Sequence, residues 1–248
     1  MSEILTICGQ RGGTGKTLTA VNLAVGLALY GKKTLLIDLD PLASATNLAG
    51  KGPYTEDVSH VLSGKASFMD AVATTDLNRL FLLPAGFDLF FAALRLAKLT
   101  SNEKMLRIFL GDADPDFEYI IIDAPSSWGY LSVAALTAAD RLICPICPGV
   151  SRKPDFSCLL QAAAYIRKTH EAPVRIAGFL FNRCQDPGKG RAFLKAQNLE
   201  DIKDLVFKTH IPEDPEAKLC TMPLAIKDIK SAGTIAYMEF TKEILTGV

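Results

Sequence analysis

The stretch Gly9-Gln10-Arg11-Gly12-Gly13-Thr14-Gly15-Lys16-Thr17 lies directly between a strand-like apolar run, Ile4–Cys8, and a segment with helical spacing, Thr17–Tyr30. A glycine-rich turn in that position points successive backbone N–H groups inward, where they surround a polyphosphate at the positive end of the helix dipole. Lys16 then brings a point charge to the β- and γ-phosphates, and the Thr17 hydroxyl ligates Mg²⁺. The plainer alternative is a tight strand–helix turn with no ligand. The glycines around Gly15-Lys16-Thr17, in this strand-to-helix context, argue against it.

The rest of the chain alternates strand and helix. Apolar runs of strand length occur at Ile4–Cys8, Thr34–Asp38, Leu80–Leu83, Tyr119–Asp123, Arg141–Pro145, Val174–Phe181 and Leu205–Ile211. Helical spacing marks Thr17–Tyr30, Leu131–Ala138, Phe156–Lys168 and Gly233–Leu245. Strands that are apolar throughout imply a sheet covered on both faces, and their alternation with helices predicts an α/β, doubly wound, mostly parallel sheet. The segment Gly50–Lys104 is the least regular and reads as short helices plus an edge strand. No repeat and no Pro/Gly/Ser-rich linker divides the chain, so residues 1–248 are expected to form a single domain.

Composition narrows the function classes. A hydrophobic content of 49% excludes a disordered chain. The 27 basic side chains balance 27 acidic ones, which rules out a general nucleic-acid coat and leaves room for a local basic patch. Six cysteines are scattered, and Cys8, Cys144 and Cys158 sit among apolar neighbours as reduced thiols do. The chain opens Met-Ser-Glu without a leader-type segment, and its longest apolar stretch, Leu18–Tyr30, is interrupted by Asn22 and short of the ~20 residues a bilayer span needs. A cytoplasmic protein with no membrane anchor is the expectation.

Carboxylates follow the loop. Asp38 and Asp40 close the second strand with Leu39 between them, so the period of two puts both on one face at the end where open α/β sheets bind ligands. Hydrolysis of a γ-phosphate needs a group that positions water, although strand-end aspartates also cap helices. Asp123 ends the buried run Tyr119–Ile122 and is placed to hold Mg²⁺ directly or through water, with Ala124-Pro125-Ser126-Ser127 as a switch segment. Asn182 offers a donor and an acceptor to a base, or simply closes a turn. Cys144-Pro145-Ile146-Cys147 is half of a four-cysteine metal site and reads better as two core thiols. His60, His170 and His210 show no ligand spacing.

The ordinary phosphate-loop pattern has glycine where this chain has Gln10, followed by the basic residue and glycine pair Arg11-Gly12-Gly13. That stretch resembles the deviant Walker A motif, KGGxGKT, of the ParA/MinD family of P-loop ATPases. Thr34–Pro41, Ser44–Asn47, the Walker B-like Tyr119–Pro125, Gly129–Asp140 and Ile211-Pro212 are similar to later family segments, closest to the short ParA/Soj partition ATPases. The resemblance implies ATP and Mg²⁺ as cofactors, with nucleotide contacts at Gly12, Gly13, Thr14, Gly15, Lys16, Thr17, Leu18, Asn182 and Pro212. It makes Asp40 the water-positioning residue, Lys16 and Arg11 its catalytic partners, and Thr17, Asp38 and Asp123 the metal side. Arg11 replaces the signature lysine that reaches across an ATP-bound homodimer, and Leu18 replaces a threonine that touches the α-phosphate.

The resemblance also implies slow, partner-stimulated ATP hydrolysis, nonspecific DNA binding over the nucleoid, and a ParB-like or cargo-adaptor partner. Arg152, Lys153, Arg183, Lys189, Arg191, Lys195, Lys203, Lys218, Lys227 and Lys230 supply a C-terminal basic surface, interleaved with Glu200, Asp201, Asp204, Glu213, Asp214 and Glu216 as in an ordinary solvated face. The alternatives are a MinD-type membrane regulator, for which the end Phe240–Val248 lacks a basic amphipathic tail, and an iron–sulfur scaffold relative.

Overall fold

A computed structural model describes residues 2–99, 102–111, 117–184, 186–214, 223 and 230–247. The strands are β1 (Glu3–Ile7), β2 (Thr34–Asp38), β3 (Ala73–Thr74), β4 (Leu80–Leu83), β5 (Tyr119–Asp123), β6 (Arg141–Ile146), β7 (Arg175–Asn182) and β8 (Val206–Ile211). They form one sheet in the order β3-β4-β2-β5-β1-β6-β7-β8, parallel at every pairing except β3 with β4. The doubly wound sheet and the edge strand expected within Gly50–Lys104 are both present, and the edge strand β3 pairs antiparallel with β4.

Alternate residues of each central strand feed two separate cores. Leu35, Ile37, Ile120 and Ile122 face one cluster, which is completed by α3 (Val58–Leu62), α5 (Asp88–Leu96), α6 (Met105–Gly111), α7 (Tyr130–Ala138), α8 (Lys153–Thr169) and α9 (Pro187–Ala196). Leu36, Ile121 and Ile143 face the other, packed by α1 (Lys16–Leu29) and α10 (Ala232–Leu245). Burial on both faces is why the strands show no polar alternation. The short helices α2 (Ser44–Ala49) and α4 (Phe68–Ala71) complete the β2–β4 side.

Element ends differ from the sequence expectation for identifiable reasons. Strand β1 ends at Ile7 rather than Cys8, and helix α1 begins at Lys16, because Gly15 already adopts a left-handed N-cap at φ 87°. Helix α8 starts at Lys153, three residues before Phe156: Asp155 accepts the Arg152 N–H at 2.8 Å, and a proline lies in the first turn. Helix α9 has no counterpart in the sequence reading, and Pro187, Gly188 and Gly190 carry turn propensity. Asp186 caps it by accepting from Gly188 N at 2.7 Å, and a Cβ at Gly190 would sit 2.8 Å from the Phe181 ring.

At the C-terminal edge, β1 leads into α1 on one face while its neighbour β5 leads into α7 on the other. Adjacent strands whose connections diverge to opposite faces leave a crevice, and it is here that the loop after β1 lies. Among the described residues, no helix is long and apolar enough to cross a membrane.

Candidate functional site

The loop from Gly9 to Gly15 bends through left-handed backbone at Gly13 (φ 76°) and Gly15 (φ 87°). Gly15 has a second reason to lack a side chain, because a Cβ there would collide with the Asn182 amide. Helix α1 has neither a side-chain cap nor an acidic residue in its first turn. Its first N–H groups are therefore not met by a side chain of that turn, and the positive end of its dipole faces the loop.

Lys16 is buried and folds back over the loop, donating to the Arg11 carbonyl at 2.9 Å. Thr14 Oγ1 donates to the same carbonyl at 3.2 Å. Burial pulls the Lys16 pKa down, opposed first by Asp123 and then by Cys144, Asp40 and Cys8. Arg11 itself stays exposed, and its Nε reaches both oxygens of Asp155, at 3.0 and 3.1 Å. Gly12 is exposed with open space around it.

The carboxylates are treated unequally. Asp38 and Asp123 stand in register at the ends of β2 and β5, and both are buried. Asp38 accepts from Asp40 N at 3.0 Å and from both Thr46 N and Thr46 Oγ1 at 2.8 Å. Thr46 Oγ1 in turn accepts from Ala85 N at 2.9 Å, so Asp38 holds together the loops after β2 and β4. That is the helix-capping alternative of the sequence reading, realised at Asp38 on the first turn of α2. Asp40 is half-buried and accepts from Leu42 N at 3.0 Å, in a turn that closes on Ala43.

Asp123 differs from both. Its two oxygens are sealed from solvent and make no hydrogen bond within the described residues. Burial pushes its pKa well above the usual carboxylate range and repulsion from Asp38 adds to this, while the Thr17 hydroxyl and Lys16 pull the other way. A buried carboxylate with unused lone pairs is costly unless a cation or donor meets it. With the Thr17 hydroxyl close by and Asp38 and Asp40 beside it, the donors are hard oxygens, which fits Mg²⁺.

Beside the loop, toward β7 and β8, lies a cavity of about 270 Å³ lined by Gly13, Leu18, Asn182, Ile211, Pro212 and Tyr237, among others. Asn182 is buried. Its Nδ2 donates to Thr14 O at 3.0 Å and its Oδ1 accepts from Arg183 N at 3.0 Å. It thus closes a turn and braces the loop, and its side chain also interacts with the Tyr237 hydroxyl. The structure therefore brings the loop residues, Asp38, Asp40, Asp123, Leu18, Asn182 and Pro212 to one edge of the sheet.

These features are those that a nucleotide-binding P-loop would need. The sequence pattern of an AAA domain matches residues 2–176. The chain is 33% identical over 253 residues to the sporulation initiation inhibitor protein Soj of Bacillus subtilis, covering 98% of each. It is 32% identical over 251 residues to the chromosome-partitioning ATPase Soj of Treponema pallidum, covering 99% of this chain and 98% of that protein.

The chain belongs to the ParA/MinD family of P-loop ATPases.

Among solved structures, cobyrinic acid a,c-diamide synthase of Mycobacterium smegmatis with bound ADP and magnesium superposes with a TM-score of 0.85 at 29% identity, covering 99% of this chain and 94% of that one.

Sequence reasoning missed three residues that the structure places around this loop and cavity. Asp155 binds Arg11 from 144 residues away, and its only local signal was a helix-start pattern. Thr46 lies in Ser44–Asn47, and nothing in the sequence marks its hydroxyl as a partner of Asp38. Tyr237 is fully buried in α10, lines the cavity, and hydrogen-bonds Thr19 Oγ1 at 3.3 Å. Of the basic residues noted in the sequence, Lys218 and Lys227 lie outside the described residues, and Arg183 is ion-paired with Glu213 at 2.9 Å. Cys144 and Cys147 are both buried; the Cys144 thiol sits under Gly9, and burial raises its pKa to about 12. Among the described residues, no group of three or more His, Cys, Asp or Glu is placed to hold a metal by itself.

Proposed function

We propose that this protein is an ATPase that binds Mg²⁺–ATP at the Gly9–Thr17 loop and hydrolyses it slowly, with the nucleotide state gating self-association and DNA binding. The observation that carries the nucleotide part is Asp123: a buried carboxylate with both oxygens unbonded, next to Lys16 and Thr17, at the mouth of a loop ending on an open helix N-terminus. Thr17 and Asp123 would hold Mg²⁺, Asp123 directly or through water, with Asp38 acting on the metal side only through the loop it fixes. Bound Mg²⁺ would supply positive charge to the β- and γ-phosphate oxygens.

The chain's own residues do the rest. Lys16 leaves the Arg11 carbonyl to meet the phosphates, and the backbone donors of Gly12 to Lys16 surround them. Asp40, half-buried at the tip of its turn, orients the attacking water. The cavity beside Leu18, Asn182 and Pro212 takes the base.

Arg11 supports the dimer part of the proposal. It is an exposed cation on the loop itself, able to present two donors to a partner's phosphate oxygens. To reach them it must exchange its ion pair with Asp155, so nucleotide and partner together replace one carboxylate. Full-length similarity to two Soj proteins supports a partition or positioning role, with a ParB-like or cargo-adaptor protein as stimulating partner. DNA binding through phosphate contacts would be nonspecific and salt-sensitive, as nucleoid association requires.

The test is light scattering and DNA mobility shift with ATP, ADP or no nucleotide on the parent, Arg11→Ala and Asp40→Ala proteins. Asp40→Ala should accumulate as an ATP-bound, DNA-bound dimer, and Arg11→Ala should stay monomeric. DNA binding indifferent to nucleotide would end the gating proposal and leave an ATPase acting on a protein partner.

A further inference from the structure

Strands β7 and β8 run parallel with Asn182 opposite Ile211, so the chain leaves the sheet at neighbouring points just beyond the base cavity. The first residue after β7 is Arg183, and two residues beyond β8 comes Glu213. Their side chains meet at 2.9 Å, and both line the cavity beside Leu18, Pro212 and Tyr237. They remain 38% and 48% exposed, which puts the ion pair at the solvent edge of the cavity and not in its floor.

The backbone is bent to make this possible. Arg183 has φ 55°, a left-handed conformation that a residue with a long side chain seldom adopts. It is held there by Asn182, whose Oδ1 accepts the Arg183 N–H at 3.0 Å while its Nδ2 grips Thr14 of the phosphate loop at 3.0 Å. One residue thus ties the phosphate loop to the turn that aims Arg183 across the cavity. The lining between is largely apolar, from Leu18, Ile211, Pro212 and the Tyr237 ring, and such walls hold a flat base without orienting it.

We propose that the Arg183–Glu213 ion pair is a latch across the mouth of the base cavity, which closes over a bound nucleotide and slows its release. The proposal rests on the nucleotide reading above and adds to it a pair of positioning residues that set residence time and not chemistry. An exposed ion pair has a small effect, and breaking it changes a rate by about two- to fivefold. Because the pair is exposed, its contribution fades with added salt.

The experiment is stopped-flow release of Mg²⁺-loaded ATP carrying a methylanthraniloyl group on the ribose, chased with unlabelled ATP. Parent, Arg183→Gln, Glu213→Gln and the charge-swapped double variant Arg183→Glu/Glu213→Arg are compared at low and high salt. Each single variant should release the probe about two- to fivefold faster than the parent. The charge swap should restore slow release, and high salt should accelerate the parent and the swap while leaving the single variants nearly unmoved. A role in folding alone would show neither rescue by the charge swap nor a restored salt dependence.

Equal release rates across all four proteins would overturn the latch. So would weakened association in Arg183→Gln that the swap fails to rescue, because the guanidinium would then be touching the base directly. A parent protein that holds no labelled ATP would instead defeat the nucleotide reading itself.

Discussion

The phosphate end and the base end of the site are built on opposite terms. At the base end the polar groups already have partners in the chain: Asn182 with Thr14 and Arg183, Arg183 with Glu213, Tyr237 with Thr19. At the phosphate end they do not. Asp123 is buried with neither oxygen bonded, Lys16 rests on a backbone carbonyl, and the α1 N-terminus has no side-chain cap. Folding alone satisfies the first region, whereas the second is satisfied only when a charged ligand and a cation arrive. Binding energy should therefore come mainly from the phosphate end, and base-end changes should tune rates.

Replacing Lys16 by alanine sharpens this contrast most. Loss of one charge-assisted contact of about 3 kcal/mol should weaken ATP binding by about two orders of magnitude, measured by calorimetric titration. Binding as tight as the parent's would mean that the loop does not hold phosphate. Next comes Asp40→Ala, which removes water positioning and leaves the cradle intact. Turnover should fall by about two orders of magnitude or more in a phosphate-release assay, with ATP affinity little changed. If turnover is unaffected, the water is oriented elsewhere and Asp38 is the next carboxylate to examine.

Asp123→Asn separates binding from stability. The folded-state pKa of Asp123 lies well above its ordinary value, so the folded protein binds a proton that the unfolded chain has already released. Stability of the ligand-free protein should thus fall as pH rises from the ordinary carboxylate range through the raised value, because there the unfolded state holds fewer protons. Asp38, also raised by burial, adds to the same trend. Urea unfolding across pH should show this decline in the parent and a flatter profile in Asp123→Asn, which should also be the more stable protein near neutrality. A parent whose stability is unchanged over that range would remove the argument from buried charge. The smallest effect is expected where the base cavity meets the α-phosphate: Leu18→Thr should change ATP affinity by less than about threefold, since one surface-level hydroxyl contact is worth about 0.5 kcal/mol.

The phosphate end was also the more legible in sequence. Gly13, Gly15, Lys16 and Thr17 are dictated by backbone geometry and charge within a few residues, and the apolar run before Asp123 announces a strand tip. Continuous apolar strands likewise revealed a sheet buried on both faces. What could not be read depends on where distant segments meet. The Arg11–Asp155 pair spans 144 positions and the Arg183–Glu213 pair spans 30, and nothing local to either charge names its partner. Helix α9 was hidden because Pro187, Gly188 and Gly190 carry turn propensity, which packing of the Gly190 backbone against Phe181 overrides. Asp38 carried the right residue type in the right place, and only the position of Thr46 shows that its hydrogen bonds go to the first turn of α2.

The central claim is that Asp123 waits for a cation that arrives with nucleotide. Thermal unfolding of the parent and Asp123→Asn proteins with Mg²⁺ alone, ATP alone and both together tests it directly. At about a hundred times the dissociation constant a ligand stabilises by about 2.7 kcal/mol, which for a chain of this size is an upward shift of roughly 5–10 °C. That shift is expected for the parent only when Mg²⁺ and ATP are both present, with little dependence on Mg²⁺ in Asp123→Asn. A parent stabilised equally by ATP with or without Mg²⁺, or an Asp123→Asn protein that keeps the full Mg²⁺-dependent shift, would contradict it.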